Sequence, residues 1–271
     1  MAGAVVSDPG SVESAFYNPA GLSNLSESEI IIGNSNYYQL DFLTYNYISY
    51  LNHSKSYALT IQSLGVESNN DNWLNPNGSN LSKEISISFS QGYDLLKDKN
   101  SSLTLGYSLN YMFLDQASSA GPSGDGSNGL EGGQVSVFGI DVGILSTLRD
   151  KIILGAFIKN INSPSINKGS SIQYLPRKLS IGMTYLPFDK LKTNFQIEKL
   201  LGRSDNQFRF GIEYELTETF TLRSGIQMEP NRFGAGFVYK PNNKINLAFG
   251  LLTHPVFSSP SHNIDLIIKF K

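Results

Sequence analysis

The sequence predicts an all-β protein: a transmembrane antiparallel β-barrel of about 14 strands, preceded by a short N-terminal plug segment. Three observations carry that expectation. Segment after segment alternates apolar and polar side chains with period 2, which gathers the apolar residues on one face of a strand. Many of these segments approach the ~9–11 residues with which a strand crosses a bilayer. Long and short connections then alternate by parity, as a membrane barrel with both chain ends on one side requires.

Composition narrows the classes further. Of 271 residues 40% are hydrophobic and only 16% are charged, against roughly 25% charged in soluble domains. A net charge of −2 supplies no positive field for nucleic acid, so no nucleic-acid partner is expected. The sequence has no run of ~18 apolar residues that would read as a transmembrane helix. The absence of cysteine removes thiolate metal sites, disulfides and Cys nucleophiles together. With 25 Gly, 14 Tyr and 16 Phe, the chain has the mixture that suits tight turns and aromatic strand faces.

Taken in order, residues 1–27 (MAGAVVSDPGSVESAFYNPAGLSNLSE) have no period-2 run, and Pro9, Gly10, Pro19 and Gly21 interrupt any element. Val5, Val6, Phe16, Tyr17 and Leu22 are apolar without a strand pattern, which suits a segment folded back into the barrel. The competing expectation is a disordered periplasmic tail. The barrel itself is expected over 28–271. Its strands are placed at 28–39, 41–51, 55–65, 83–93, 101–114, 133–147, 150–160, 177–187, 189–199, 206–215, 219–228, 231–240, 243–252 and 261–270. Asn34, Asn36 and Asn46 blur the first two. The pattern is clearest where Ile85, Ile87 and Phe89 alternate with serines, and where Leu103, Leu105, Tyr107, Leu109, Tyr111 and Phe113 alternate with small or polar residues. Connections at 66–82, 115–132 and 161–176 are long and rich in Asn, Gly, Ser and Pro, whereas those at 94–100, 148–149, 188, 216–218 and 241–242 are short. A soluble sheet with one wet face also alternates; strand length, an aromatic-rich apolar face and loop parity favour the barrel. Closure also satisfies every backbone group in lipid.

The facing follows. Leu103, Leu105, Leu109, Ile181, Phe195, Phe210 and Leu247 should meet lipid. Lys192, Glu198, Arg209, Glu213, Glu215 and Arg223 share the polar face of neighbouring strands, with Asp141, Lys159, Lys240, Asp265 and Lys269 on polar faces elsewhere. A charge facing lipid would cost ~2–4 kcal/mol at the midplane, so these residues should line the lumen. There they form either a network of cross-strand pairs or a polar conduction path. Catalysis is not expected: His254 or His262 with Ser258, Ser259 or Ser261 supplies atoms but no motif, and His53 falls in a periplasmic turn. Asp125 in GPSGDGSNG and the stretch 69–71 lack calcium-loop spacing, and GPSGDGSNG is not a phosphate loop. No metal or cofactor is expected.

The string AFYNPAGLS at 15–23, after AVVSDPGS at 4–11, resembles the N-terminal region of the FadL outer-membrane transporter superfamily and of the related PorV/PorQ group. FRFGIEYELTETFTLRSGIQ at 208–227, GAGF at 234–237 and SHNIDLIIKF at 261–270 resemble the last strands of the PorV-like members. The resemblance implies a bacterial outer-membrane protein in contact with outer-membrane lipids. Its plug motif would be Phe16, Tyr17, Asn18, Pro19 and Ala20. It further implies that residues 1–27 lie in the lumen, with Asn18 hydrogen-bonded to the wall, Pro19 fixing a turn, and Arg209, Glu213 and Arg223 holding the segment. Phe16 and Tyr17 would touch a passing ligand. The implied function is passive transport of hydrophobic small molecules, a long-chain fatty acid or similar. The alternative is a component of type IX protein secretion with a secretion-system partner. No signal peptide precedes the motif, so the chain is expected to be mature, truncated or read from a late start, and it is shorter than typical members of either group.

Overall fold

The computed structural model describes residues 1–8, 11–68, 79–118, 129, 131–168 and 171–270. Strands β1 (Ser28–Asn36), β2 (Leu43–Asn52), β3 (Tyr57–Ser68), β4 (Ser79–Lys97), β5 (Ser101–Gln116), β6 (Gly133–Leu148) and β7 (Ile152–Lys159) form the first half. A small hairpin, β8 (Ser165–Lys168) and β9 (Ser171–Tyr174), follows. The second half comprises β10 (Lys178–Phe188), β11 (Leu191–Leu200), β12 (Asn206–Thr217), β13 (Phe220–Met228), β14 (Arg232–Asn242), β15 (Ile245–Leu252) and β16 (Ser261–Phe270). Fourteen strands close into one barrel, each antiparallel to its neighbours, and β1 pairs with β16 at the seam.

Every barrel strand falls within a few residues of its expected place; the largest differences are at β4, which extends at both ends to pair along the whole of β5. β1 stops at Asn36 because Tyr38 and Gln39 take up left-handed backbone (φ 60° and 56°) and turn the chain into β2. The connection expected at 161–176 is not wholly irregular, since β8 and β9 pair within it. Period-2 reading misses a hairpin of two four-residue strands because four residues carry too little alternation. Most of the two other long connections, with Asp125 and residues 69–71, lies outside the described residues. Antiparallel order puts all three long connections on the rim opposite the start of β1.

Side chains sort by face. Ile181, Phe195, Phe210, Leu247, Leu105 and Leu109 point outward and are exposed, Ile181 by 53%; Leu103, on the same face, is half-buried. Soluble monomers rarely expose so continuous an apolar band. Near the rim where β1 begins and β16 ends, outward rings stack from strand to strand. Tyr50 meets Phe270 at 6.0 Å and Tyr57 at 6.4 Å, and Phe89, Tyr107 and Tyr93 continue the belt. The inward face is small and polar: Ser49 bonds Thr60 (2.7 Å) and Ser90 bonds Ser108 (2.8 Å) across strands. The apolar core therefore sits at one end of the lumen, where Val12 and Leu22 pack on Ile31, Leu51, Ala58 and Ile267.

Candidate functional site in the barrel lumen

Residues 1–8 and 11–25 lie against the inner wall. A single helical turn, α1 (Ser14–Tyr17), leads through Asn18 into a 3-10 turn at Pro19–Asn24. Asn18 is extended (φ −165°, ψ 101°) and caps that turn by accepting from the Ala20 amide at 3.2 Å. Proline suits the next position, where no helical donor is lost. The Asn18 amide group donates to the Val6 carbonyl (2.8 Å) and to the Ile144 carbonyl of β6 (3.2 Å), so one buried side chain ties segment to segment and segment to wall. Ala20 packs with Leu145 and Ile153.

The fit is backbone against backbone. Gly92, Gly106 and Gly143 are register partners across β4, β5 and β6, and Gly211, Gly225 and Gly234 across β12, β13 and β14. At Gly106 a methyl group would overlap the Ala20 nitrogen and the Pro19 carbonyl carbon and would sit 2.7 Å from the Ala20 Cα. At Gly155 it would lie 2.6 Å from the Val6 oxygen, and at Gly211 2.7 Å from the Met1 Cβ. Only residues without a side chain leave room there for a second layer of main chain.

Polar groups complete the attachment. Gln196 accepts from the Val5 and Val6 amides (both 3.0 Å), Asn194 donates to the Ala4 carbonyl (2.8 Å), and Ser7 bonds Thr184 (2.8 Å). The Val12 amide donates to Glu29 (2.8 Å), which also pairs with Lys269 (3.4 Å). Lys192 bridges Asp8 of the segment to Glu213 of the wall, at 3.1 Å each, and Arg223 closes on Glu213 at 2.6 Å. Arg209 grips Glu198 with both terminal nitrogens (3.0 and 3.1 Å), and Lys178 shares that carboxylate at 3.2 Å.

Lys192, Glu198, Arg209, Glu213 and Arg223 thus all face the lumen as two ion-pair clusters. Only Lys192 pairs with a charge on the segment; Arg209 reaches the Gly3 carbonyl at 3.5 Å, and Glu213 and Arg223 act through Lys192. Asp8, Gln196, Asn194 and Glu29 do more of the holding. Attention to charged residues passed over the neutral amides, although Asn194 and Gln196 stand on the polar face of the same strand as Lys192. Of the histidines, the His53 ring meets the Leu25 carbonyl at 2.8 Å, His254 packs on Tyr38 and Phe257 near the rim, and His262 of β16 lines a cavity in the lumen.

Above the segment is a cavity of about 520 Å³, and a smaller one of about 180 Å³ adjoins it past Tyr17, Glu13, Asp265 and Gly250. One side of the larger cavity is aromatic. From the rim downward, Phe257 stacks on Tyr38 (4.3 Å), Tyr38 neighbours Tyr37 (6.3 Å), Tyr37 neighbours Tyr45 (6.0 Å) and Tyr45 neighbours Tyr47 (5.5 Å). Tyr47 then meets Phe16 edge-on (5.2 Å), and Phe16 meets Tyr17 (6.5 Å). A ladder of rings therefore runs from the loop tip to α1, with Tyr47 hydrogen-bonded to Asp265 and Tyr45 to Gln62 (3.2 Å). Gly33 makes space for the Tyr47–Asp265 pair, which any Cβ would overlap. Sequence reading singled out Phe16 and Tyr17 but not the tyrosines that join them.

No family model matches the chain, and no curated protein matches it in sequence. Its fold is shared with solved structures. The toluene transporter TbuX of Ralstonia pickettii is 14% identical with a TM-score of 0.59, over 96% of this chain and 92% of that one. The monoaromatic hydrocarbon channel CymD is 12% identical with a TM-score of 0.60, over 98% and 94%. A Pseudomonas aeruginosa FadL homologue is 12% identical with a TM-score of 0.55, over 100% and 96%.

Proposed function

We propose that the protein is an outer-membrane channel for small hydrophobic molecules, aromatic ones foremost, and that residues 1–27 are its plug. The ring ladder from Phe257 to Tyr17 carries this reading. Each aromatic contact is worth ~0.5–1.5 kcal/mol, so a guest ring can exchange one partner for the next without meeting a deep trap. Conduction needs such a series of weak sites. The cavity of about 520 Å³ is of the size that holds small ligands, and the outward apolar band with its ring belt suits a bilayer. Solved proteins of the same fold that are described as toluene and monoaromatic hydrocarbon channels lend support. The rings favour an aryl cargo over the long-chain fatty acid that the sequence resemblance implies. No feature among the described residues favours a role in secretion.

The test is uptake of labelled naphthalene by cells with a lipopolysaccharide outer membrane. Expression should raise the initial rate several-fold over empty vector, and the double substitution Tyr37→Ala, Tyr45→Ala should remove most of the gain. A rate equal to the vector control refutes the channel reading.

A further inference from the structure

Across the lumen from the ring ladder the wall is cationic. Lys159 of β7, Lys178 of β10, Arg209 of β12 and Arg232 of β14 all line the same cavity as Tyr37, Tyr45 and Tyr47. Register aligns part of this wall: Gln196, Arg209, Gln227 and Arg232 are successive partners across β11 to β14, a row of amide and guanidinium donors facing inward. Glu198, the carboxylate that pairs with this row, is shared by Lys178 and Arg209. Asp141, near Lys159, is buried and already accepts from Asn110 (2.8 Å) and the Asn160 amide (2.7 Å). Among the described residues neither Lys159 nor Arg232 makes an ion pair, and the Nε atoms of Arg209 and Arg232 are buried without an acceptor. The other carboxylates facing the cavity, Glu13 and Asp265, belong to the segment and to β16, and Asp265 accepts from Tyr47 and Asn263.

A neutral hydrocarbon makes no use of such a wall, whereas Lys159 and Arg232, which line it without an ion-pair partner among the described residues, can each form a charge-assisted hydrogen bond with an anionic guest. We propose that this half of the lumen is an anion subsite and that the channel takes aromatic carboxylates. The ring lies on the tyrosine ladder and the carboxylate turns to Arg232, Lys159 and the Arg209–Lys178 pair. The inference rests on the channel reading above and adds to it the charge of the cargo. Guanidinium suits this role because its fork matches a carboxylate in two-point contact.

The experiment uses the full chain in detergent and two fluorescent guests of equal ring size, 2-naphthoate and the neutral 2-naphthalenemethanol, each titrated against protein-free micelles. The double substitution Lys159→Gln, Arg232→Gln leaves the Glu198 cluster intact. It should lower the ratio of naphthoate to alcohol affinity about tenfold or more, and Arg232→Lys alone should retain most of the ratio. Unaltered heat-dependent electrophoretic mobility checks that the variants are folded barrels. A ratio that stays the same overturns the anion subsite and leaves the channel reading standing if both guests bind. Wild-type protein that binds neither guest overturns both.

Discussion

Replacing Gly106 by Ala tests whether the segment is built onto the wall or merely rests inside it. The new methyl group would overlap the Ala20 nitrogen and the Pro19 carbonyl carbon and lie 2.7 Å from the Ala20 Cα. These are backbone atoms, so no rotamer change relieves the clash. Overpacking of this kind costs ~1–3 kcal/mol, whereas Gly to Ala within a strand otherwise gains ~0.5–1 kcal/mol. The clash wins, and moving the segment also loosens the buried Asn18 contacts with Val6 and Ile144. A cost of ~1–3 kcal/mol corresponds to a roughly five- to hundredfold shift toward the displaced state. Gly250 supplies the internal control, because a methyl group there meets nothing within 4 Å. Single-channel conductance and protease cleavage within residues 1–27 should both rise for Gly106→Ala and stay at wild-type values for Gly250→Ala. If Gly106→Ala keeps the segment protected and the conductance low, the packing described here is wrong.

Two other perturbations address the wall and its attachment. Leu105→Arg places a charge on the outward face and should cost ~2–4 kcal/mol at the membrane midplane, read as a loss of the heat-resistant folded band after assembly into lipid vesicles; normal assembly would contradict the facing. Lys192→Ala leaves Asp8 without its cation while Glu213 keeps Arg223; a fully buried pair so broken loses ~3–5 kcal/mol, and lumenal water should reduce this to about 1–3 kcal/mol. A double-substitution cycle of Lys192→Ala with Asp8→Asn, followed by urea unfolding, should show coupling, and strict additivity would remove the bridge from the account.

The barrel was legible because its physics is local: a strand with one face in lipid must alternate, and Ile85 to Phe89 or Phe208 to Tyr214 alternate whatever their partners are. The lumen was less legible because its contacts depend on register. Gly106, Gly182 and Gly211 appear in the sequence as polar-face positions of their own strands. That Gly106 adjoins Gly92 and Gly143, and that the Asn18–Ser23 stretch lies over all three, follows only from pairing. The ring ladder was hidden in the same way, since Tyr37, Tyr45 and Tyr47 sit in the least regular part of the pattern and meet Phe16 and Phe257 from distant stretches of chain. The Phe16–Ala20 string was visible, but not that Gln196 and Asn194 would hold the residues upstream of it.

The glycine rows also make the tube mechanically lopsided. Where β4, β5 and β6 present bare backbone inward, the lateral stiffness that cross-strand side chains give a sheet comes instead from the chain lying over them, which acts as an internal brace. A load applied at Tyr17 passes through α1 to Asn18 and Pro19 and is borne by that side. At Gly250 of β15 nothing is packed behind the wall. In the proposed channel, a bulky guest descending the tyrosines would therefore be accommodated by yielding around β15, with the braced side acting as the anvil.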